Sequence, residues 1–542
     1  MKKTIIVVLL VLSAFFSAGA QELGGNYNEN LDGPLGDIRM IRESGVTWIR
    51  GFIDIPLKFL IKENNVITGV DEDKIRNSRL LRQYVQAQEI LGDQVKFMLS
   101  FKIPFLNDAG LVPAEETGIW EHIFRASELI LETCGMGDHI ELLVMGNEPM
   151  WENFDNANTP WADKVVAAAN YKAFLNEFAE RIDGWKKKNG WTFEVFAGSL
   201  NRISEVDSPV IQAVMDVVNE NDKVDGLDLH IHAARIAQCA DDFRLARTRY
   251  GVTKKIISTE FSMVRAIDSH NKDVLGTWGT QHGYPATMKV YEYLNAIIDK
   301  AKAGKPVTTE EFASLFNGIN GYPKNWYTKF YDAFRQYDVY AITGRFSVVP
   351  NKVTYSDKTQ MWELGGIYNP KFFGYTKDGL YQPNPLVYPD FIAIRDGQPV
   401  RRFLEAQNEI LIVFTKVPEE GSTLKVGNRT VALDPACDWV KVDGLNPGEE
   451  YHFTYSSADG QEIWSRDIRT KARNSTMPLL NVEEAGDYRW IQVLNLPDDA
   501  SSVRILVDGQ ETGAVTGPLD GKSLSAEITY ADSSVETVTT EL

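Results

Sequence analysis

Between residue 22 and about residue 356 the chain alternates two hydrophobic periods. Short apolar runs fall at Glu22–Asn26, Val46–Ile53, Val95–Ile103, Ile140–Met145, Phe193–Ser199, Gly226–His232, Lys255–Glu260 and Val339–Ser347. The densest of them read as parallel strands buried on both faces. Between the runs, apolar residues recur at 3.6-residue spacing over Leu80–Leu91, Ile119–Leu131, Trp161–Trp185, Val210–Val218 and Met288–Ala301, which predicts amphipathic helices. Strands that alternate with helices build a parallel α/β sheet, and eight of them predict a closed (β/α)8 TIM barrel rather than an open sheet. The first run, ELGGN, offers the least apolar surface. The last follows a long helical excursion, Thr308 to Gln336, expected to form lid or loop structure above the barrel.

The period changes near Gly379–Asp390. LYQPNPLVYPD carries three prolines and ends the helical pattern, which places a domain boundary there. Beyond it the chain is a series of short alternating strands. Val440 to Phe453, VKVDGLNPGEEYHF, resembles the tyrosine corner of fibronectin type III and immunoglobulin-like sandwiches. The expected organisation is a barrel over 21–388, a β-sandwich over 389–472 and a small β domain over 473–542. Strand-like runs in the last fall at Trp490–Leu494, Val503–Val507 and Leu524–Tyr530.

Composition adds a compartment. Residues 1–20 read as a secretory leader, with Lys2 and Lys3, an apolar Ile5–Phe16 and the small Ala18-Gly19-Ala20 before the cut. The chain is expected to be exported, periplasmic or secreted, with no membrane insertion once the leader is removed. Its 75 Asp+Glu exceed its 56 Lys+Arg, which argues against nucleic acid as a partner. Three cysteines, Cys134, Cys239 and Cys437, are too few and too scattered for a disulfide framework or a zinc site.

The chemistry centres on HIELLVMGNEPMW, residues 139–151. An apolar strand ends by presenting Asn147 and Glu148 side by side, and Pro149 stops further pairing. About 110 residues on, KKIISTEFSMV ends a second short apolar strand at Glu260. Asn-Glu-Pro at a strand end, with a second Glu at this distance, resembles the retaining (β/α)8-barrel glycoside hydrolases of clan A. In that clan one Glu follows strand 4 as acid/base and the other follows strand 7 as nucleophile, which assigns those roles to Glu148 and Glu260. The acid should then have a raised pKa and the nucleophile a lowered one.

The resemblance extends to neighbours. Arg50, in TWIRGF, resembles the clan's strand-2 arginine, which hydrogen-bonds the nucleophile. Asn147 would bind the sugar 2-hydroxyl. Asp228, His230 and His232 share one face of strand 6 at i, i+2 and i+4. His232 is the better match to the clan's strand-6 side chain at the nucleophile, and His230 is expected deeper in the barrel. The clan often ends strand 8 with Trp; here the strand ends Arg345-Phe346-Ser347 and the nearest tryptophan is Trp362.

Sugar rings stack their C–H faces on aromatic side chains. Candidates are Trp151, Phe154 and Trp161 after strand 4, Phe261, Trp278 and Tyr284 after strand 7, and Trp326 and Trp362 near strand 8. Several aromatics across one mouth suggest an open cleft and internal cleavage of a polysaccharide. The whole plan resembles bacterial endo-β-1,3-glucanases, with agarase- or porphyranase-like galactanases and mannan-active enzymes as alternatives. The acidic chain tilts the expectation towards neutral β-1,3-glucan. No cofactor or metal is implied. Two other classes stay open: a metallohydrolase using His230-x-His232, and a non-catalytic carbohydrate-binding barrel.

Overall fold

The computed structural model describes residues 22–540 apart from 65, 106–110, 154–158, 320–321, 323, 349–353, 378, 398, 473–477, 486–487, 498 and 520, so the leader at 1–20 and Phe154 lie outside the described residues. Eight parallel strands form the centre: β1 Glu22–Asn26, β2 Trp48–Asp54, β3 Lys96–Lys102, β4 Leu142–Met145, β5 Glu194–Asn201, β6 Gly226–His232, β7 Lys255–Ser258 and β8 Val339–Arg345. Each pairs with the next, and β8 returns to β1 through Glu22↔Ala341 to Asn26↔Arg345, so the sheet closes into a barrel.

The glycine-rich first strand belongs in the barrel because of its small residues. A Cβ on Gly24 would sit 2.6 Å from both the Thr343 methyl and the Trp48 carbonyl. Only hydrogen fits where β1 passes between β8 and β2. The space so released takes Trp48, which fills the barrel interior with Met98, Leu142, Val144, Phe196, Ile257 and Ala341. This is a packed core with no channel.

Helices wrap the outside at the predicted places: Arg79–Leu91, Ile119–Glu132, Trp161–Asn189, Pro209–Glu220 and Val290–Lys302. Ser78 caps the first by accepting from Leu81 N, and a left-handed Gly190 ends the longest. A short antiparallel pair, Leu60–Glu63 with Val66–Val70, was not foreseen. The excursion before β8 is not a lid. Its second helix, Trp326–Arg335, buries Trp326, Tyr327, Phe330, Tyr331 and Phe334 as one stripe. Phe261 rests on that stripe, so the helix is part of the barrel wall.

The barrel also runs past the proline-rich stretch. Helix Tyr388–Asp396 places Val387, Phe391 and Ile394 in the barrel's core, and the first strand of the next domain begins at Val400. A three-stranded and a four-stranded antiparallel sheet then share a core that includes Phe403, Ile412, Phe414, Leu424 and Phe453. Tyr451 Oη accepts from Asn446 N at 2.7 Å, tying a strand start to the loop before it. A second pair of sheets follows over 479–540, and its Trp490 is buried against Leu404, Leu411 and Val413 of the first pair.

The first sandwich docks where the barrel strands begin. Glu405 accepts from Gln94 N, and Gly92 has no Cβ where the Glu405 carboxylate passes. Arg466 pairs with Glu22 at 3.3 Å. These contacts lie at the end opposite the strand C-termini. Gly24→Ala forces a methyl against backbone and should destabilise the barrel by about 1–3 kcal/mol or more. Thermal unfolding followed by near-ultraviolet circular dichroism checks this; an unchanged melting temperature would remove the steric account of β1.

Candidate active site

Polar residues gather where the barrel strands end. Asn26, Arg50, Lys102, Asn201, His232 and Arg345 lie on β1, β2, β3, β5, β6 and β8, while Asn147 and Glu148 follow β4 and Glu260 follows β7. A cavity of about 280 Å³ opens among them. Its walls include Asn26, Asn147, Glu148, Glu260, His232 and Arg345, with Phe52 and Trp362 as apolar faces.

Glu148 is delivered by an unusual backbone. Gly146 has φ 102°, and a Cβ there would meet the Tyr171 hydroxyl at 2.5 Å. Glu148 itself is left-handed, φ 38° and ψ 53°, before Pro149 starts the short helix Pro149–Glu152. A non-glycine residue in that region costs on the order of 1–3 kcal/mol, and such strain concentrates at functional sites. Glu148 N donates to Ser199 O at 3.1 Å, which holds the turn. The carboxylate then accepts from Asn201 Nδ2 at 2.8 Å and lies 2.9 Å from His230 Nδ1.

Glu260 is held from β2. Arg50 Nη1 reaches its Oε1 at 2.6 Å, while Nη2 donates to Asn147 Oδ1 at 3.0 Å and Nε to Ser100 Oγ at 3.1 Å. The guanidinium is fully buried and stacked on Phe52 at 4.5 Å. Burial raises the Glu260 pKa, but His230 and Arg50 outweigh it and hold the carboxyl below its ordinary range.

His232 Nε2 lies nearer Glu260, at 3.8 against 4.0 Å, whereas His230 is fully buried and lies nearer Glu148, at 2.9 against 3.6 Å. Its Nε2 bonds Thr259 Oγ1 at 3.0 Å, and Thr259 donates its own proton to the buried Asp228 at 2.6 Å. Thr259 therefore accepts from Nε2–H, which leaves Nδ1 to share a proton with Glu148. Burial alone would lower the imidazole's pKa; Glu260, then Asp228 and Glu148, push it up to about 10. His232 bonds Ser262 through Nδ1 at 2.8 Å. Its Nε2 has no hydrogen-bond partner and lies 3.6 Å from Glu148 and 3.8 Å from Glu260.

One expectation is corrected here. Glu148 does not have the raised pKa of a free-standing acid. Burial raises it, yet the flanking His230 and His232 pull it well below the carboxylate range. The proton of the Glu148–His230 pair rests on the imidazole.

Three tryptophans expected at the mouth do not line the cavity. Trp326 is 1% exposed in the barrel wall. Trp278 stacks on His282 at 4.2 Å and donates to Ser314. Trp151 lies under the Arg202 guanidinium at 4.3 Å. Helix packing claimed Trp326, while Trp151 and Trp278 stay half-buried outside the cavity lining. Trp362 does line the cavity, edge-on to His232 at 4.7 Å.

Sequence reasoning passed over Asn26, Lys102, Asn201, Thr259, Glu152 and Arg345. Most end a barrel strand, and the last polar residue of each apolar run was the signal available. Glu152 accepts from Asn147 Nδ2 at 2.9 Å, and burial pushes its carboxyl up to about 7 against the pull of Lys102.

An oxygen from each of Glu148 and Glu260 and a nitrogen from each of His230 and His232 lie within 4.8 Å of one another. Among the described residues this is the set that could hold a metal ion. It fits one poorly. Arg50 already binds Glu260 and would repel a dication, and both nitrogens of His230 are engaged. One oxygen of Glu148 and one of Glu260 thus lie within 4.8 Å of each other.

No family model matches the chain, and no curated protein does. Solved structures similar to it include a trimodular GH5_4 subfamily endoglucanase, at 11% identity and TM-score 0.37, covering 97% of each chain. A β-glycosidase from Thermosphaera aggregans is 10% identical with TM-score 0.37, over 69% of this chain and 96% of that one. A β-glucuronidase from Parabacteroides merdae is 10% identical with TM-score 0.36, over 96% of this chain. The chain spans 61% of that glucuronidase's length. Likenesses this distant carry no weight for function. The fold and the site by themselves define a (β/α)8 barrel with two glutamates paired at the C-terminal mouth.

Arg50→Met should leave Glu260 buried without its cation, so the carboxyl pKa rises towards or above its ordinary value. Breaking such a pair also costs about 3–5 kcal/mol of stability. Carboxyl ¹³C titration of glutamate-labelled protein reads the shift; a Glu260 resonance that titrates as in the parent would contradict the assigned role of Arg50.

Proposed function

We propose that the chain is an exported glycoside hydrolase that cleaves β-linked polysaccharide with retention, by double displacement. The observation that carries this is the Glu148–Glu260 pair, delivered by β4 and β7 with an oxygen of each within 4.8 Å. Glu260, kept ionised by Arg50 and His230, attacks the anomeric carbon as the glycosidic C–O bond breaks. The departing oxygen takes a proton through Glu148, which is resupplied from His230 Nδ1 at 2.9 Å. Water then enters, gives its proton back to the Glu148–His230 pair and releases Glu260 from the covalent intermediate. Arg50 charge and Asn147 amide are positioned together, so the sugar's 2-hydroxyl would meet Asn147 beside the nucleophile. Among the described residues no helix is long and apolar enough to cross a membrane.

The expectation of β-1,3-glucan rests on the resemblance of the domain plan and on the net charge of the whole chain, whereas the sugar is selected by groups in the cavity. Of the aromatics expected across the mouth, Trp362 and Phe261 line the cavity and Trp326 is taken into the barrel wall. β-1,3-Glucan, agarose, porphyran and mannan form the first substrate panel, read by product size.

Glu148→Gln should lower kcat by about 10²–10⁴-fold on a substrate with a poor leaving group, and Glu260→Gln should lose more. Nuclear magnetic resonance of the first product reads its anomeric configuration: inversion sinks the nucleophile assignment. Binding of glycan with no turnover in the parent protein would favour the non-catalytic alternative.

The pH profile follows from the two shifts. Activity should hold through neutral pH and fall as pH rises through about 10, where His230 loses its proton. On the acid side it should fall only below the ordinary carboxylate range, where Glu260 becomes protonated. In His230→Asn the alkaline limb should move; an alkaline limb identical to the parent's would exclude His230 as the proton reservoir.

A further inference from the structure

Among the described residues, one cation lining the cavity has no counter-ion. Arg50 is matched by Glu260, at 2.6 Å. Lys102 is surrounded by Glu29, Asp54 and Glu152 at 3.5–3.6 Å. Arg345 ends β8 and lines the same cavity, and among the described residues no carboxylate lies within ion-pair distance of its guanidinium. The nearby Glu363 is paired with Lys371, at 3.5 Å. A half-buried guanidinium with five donors and no carboxylate beside it is open to an anionic acceptor brought by a ligand.

Its position gives that group a direction. β8 pairs with β1, and Arg345 is in register with Asn26. Asn28 also lines the cavity, and its buried Oδ1 has no partner. Lys102 and Glu152 come from β3 and the turn after β4, across the barrel. The cavity thus has a cationic wall at β8 and a self-neutralised acidic wall opposite. A sugar at the two glutamates would turn one edge to each.

We infer that Arg345 is a specificity-determining residue and that the substrate sugar carries an anionic oxygen group, the carboxylate of a uronic acid or a sulfate ester, on the edge facing β8. Either group accepts two hydrogen bonds from a guanidinium in one plane, which a neutral hydroxyl does not. The inference rests on the glycosidase reading and narrows it: a neutral β-1,3-glucan leaves Arg345 unmatched.

The test uses the full chain and β-linked polysaccharides in matched forms. Uronic-acid polymers are compared with their carboxyl-reduced forms, in which each carboxylate becomes a primary alcohol, and sulfated galactans with their desulfated forms. Neutral β-glucan and mannan complete the set. The expected result is that one anionic polymer is cleaved at least about tenfold faster in kcat/KM than its neutralised form. Whether reduction or desulfation abolishes the advantage tells carboxylate from sulfate. Arg345→Gln should bring the ratio to about one, and Arg345→Lys should restore part of it, with thermal melts showing both variants folded. Preferred cleavage of a neutral polymer, lost in Glu260→Gln, overturns the inference and leaves the glycosidase standing. So does an anionic preference that Arg345→Gln leaves intact. No cleavage of any polymer by the parent overturns both.

Discussion

The site depends on one buried guanidinium. Arg50 emerges from β2 with no exposed surface and hydrogen-bonds side chains from four other positions on the barrel rim: Asn26 on β1, Ser100 on β3, Asn147 after β4 and Glu260 after β7. A cation this deep is tolerable only if its donors are used and its charge is met. Both conditions are satisfied by the groups that the chemistry needs fixed. The ion pair that keeps Glu260 charged also sets its distance from Asn147, and Asn147 is covalently next to Glu148. Five strands are thereby tied together at the mouth, beyond what the backbone ladder alone provides.

A second constraint is proton placement. Glu148, His230, Thr259 and Asp228 form one chain of short contacts, and buried Asp228 anchors it. Because Asp228 takes the Thr259 proton, His230 is held with Nδ1 towards Glu148. This gives the acid its proton by a different route from the raised carboxyl pKa of a glutamate in an apolar pocket. There, desolvation keeps the carboxyl neutral. Here, two imidazoles overcome desolvation and the proton is held one atom further away.

The rest of the chain keeps this rim in shape from a distance. Gly24 lets the barrel close around Trp48, and the aromatic stripe of Trp326–Arg335 supports Phe261 next to Glu260. The first β-sandwich grips Glu22 and Gln94 at the opposite end of the strands. From there it supports the barrel floor and does not approach the two glutamates.

The hydrophobic pattern by itself determined the eight strands, most of the helices and the class of fold, because a strand buried on both faces leaves a continuous apolar run whatever surrounds it. Glu148 and Glu260 each follow such a run, but their pairing and the place of Arg50 beside them were implied only by the resemblance to clan A glycoside hydrolases. Whether an aromatic side chain is wall or platform was decided only in three dimensions. Trp326 and Trp362 look alike in sequence, but one is claimed by Phe261 and Phe330 and the other is left at the cavity. The protonation that His230 imposes on Glu148 arose from partners on β5 and just after β7. Those partners, Ser199 and Thr259, carry no signal of their own. Arg345 became notable for the same reason: an unmatched charge is a property of surroundings, and surroundings exist only after the strands have closed.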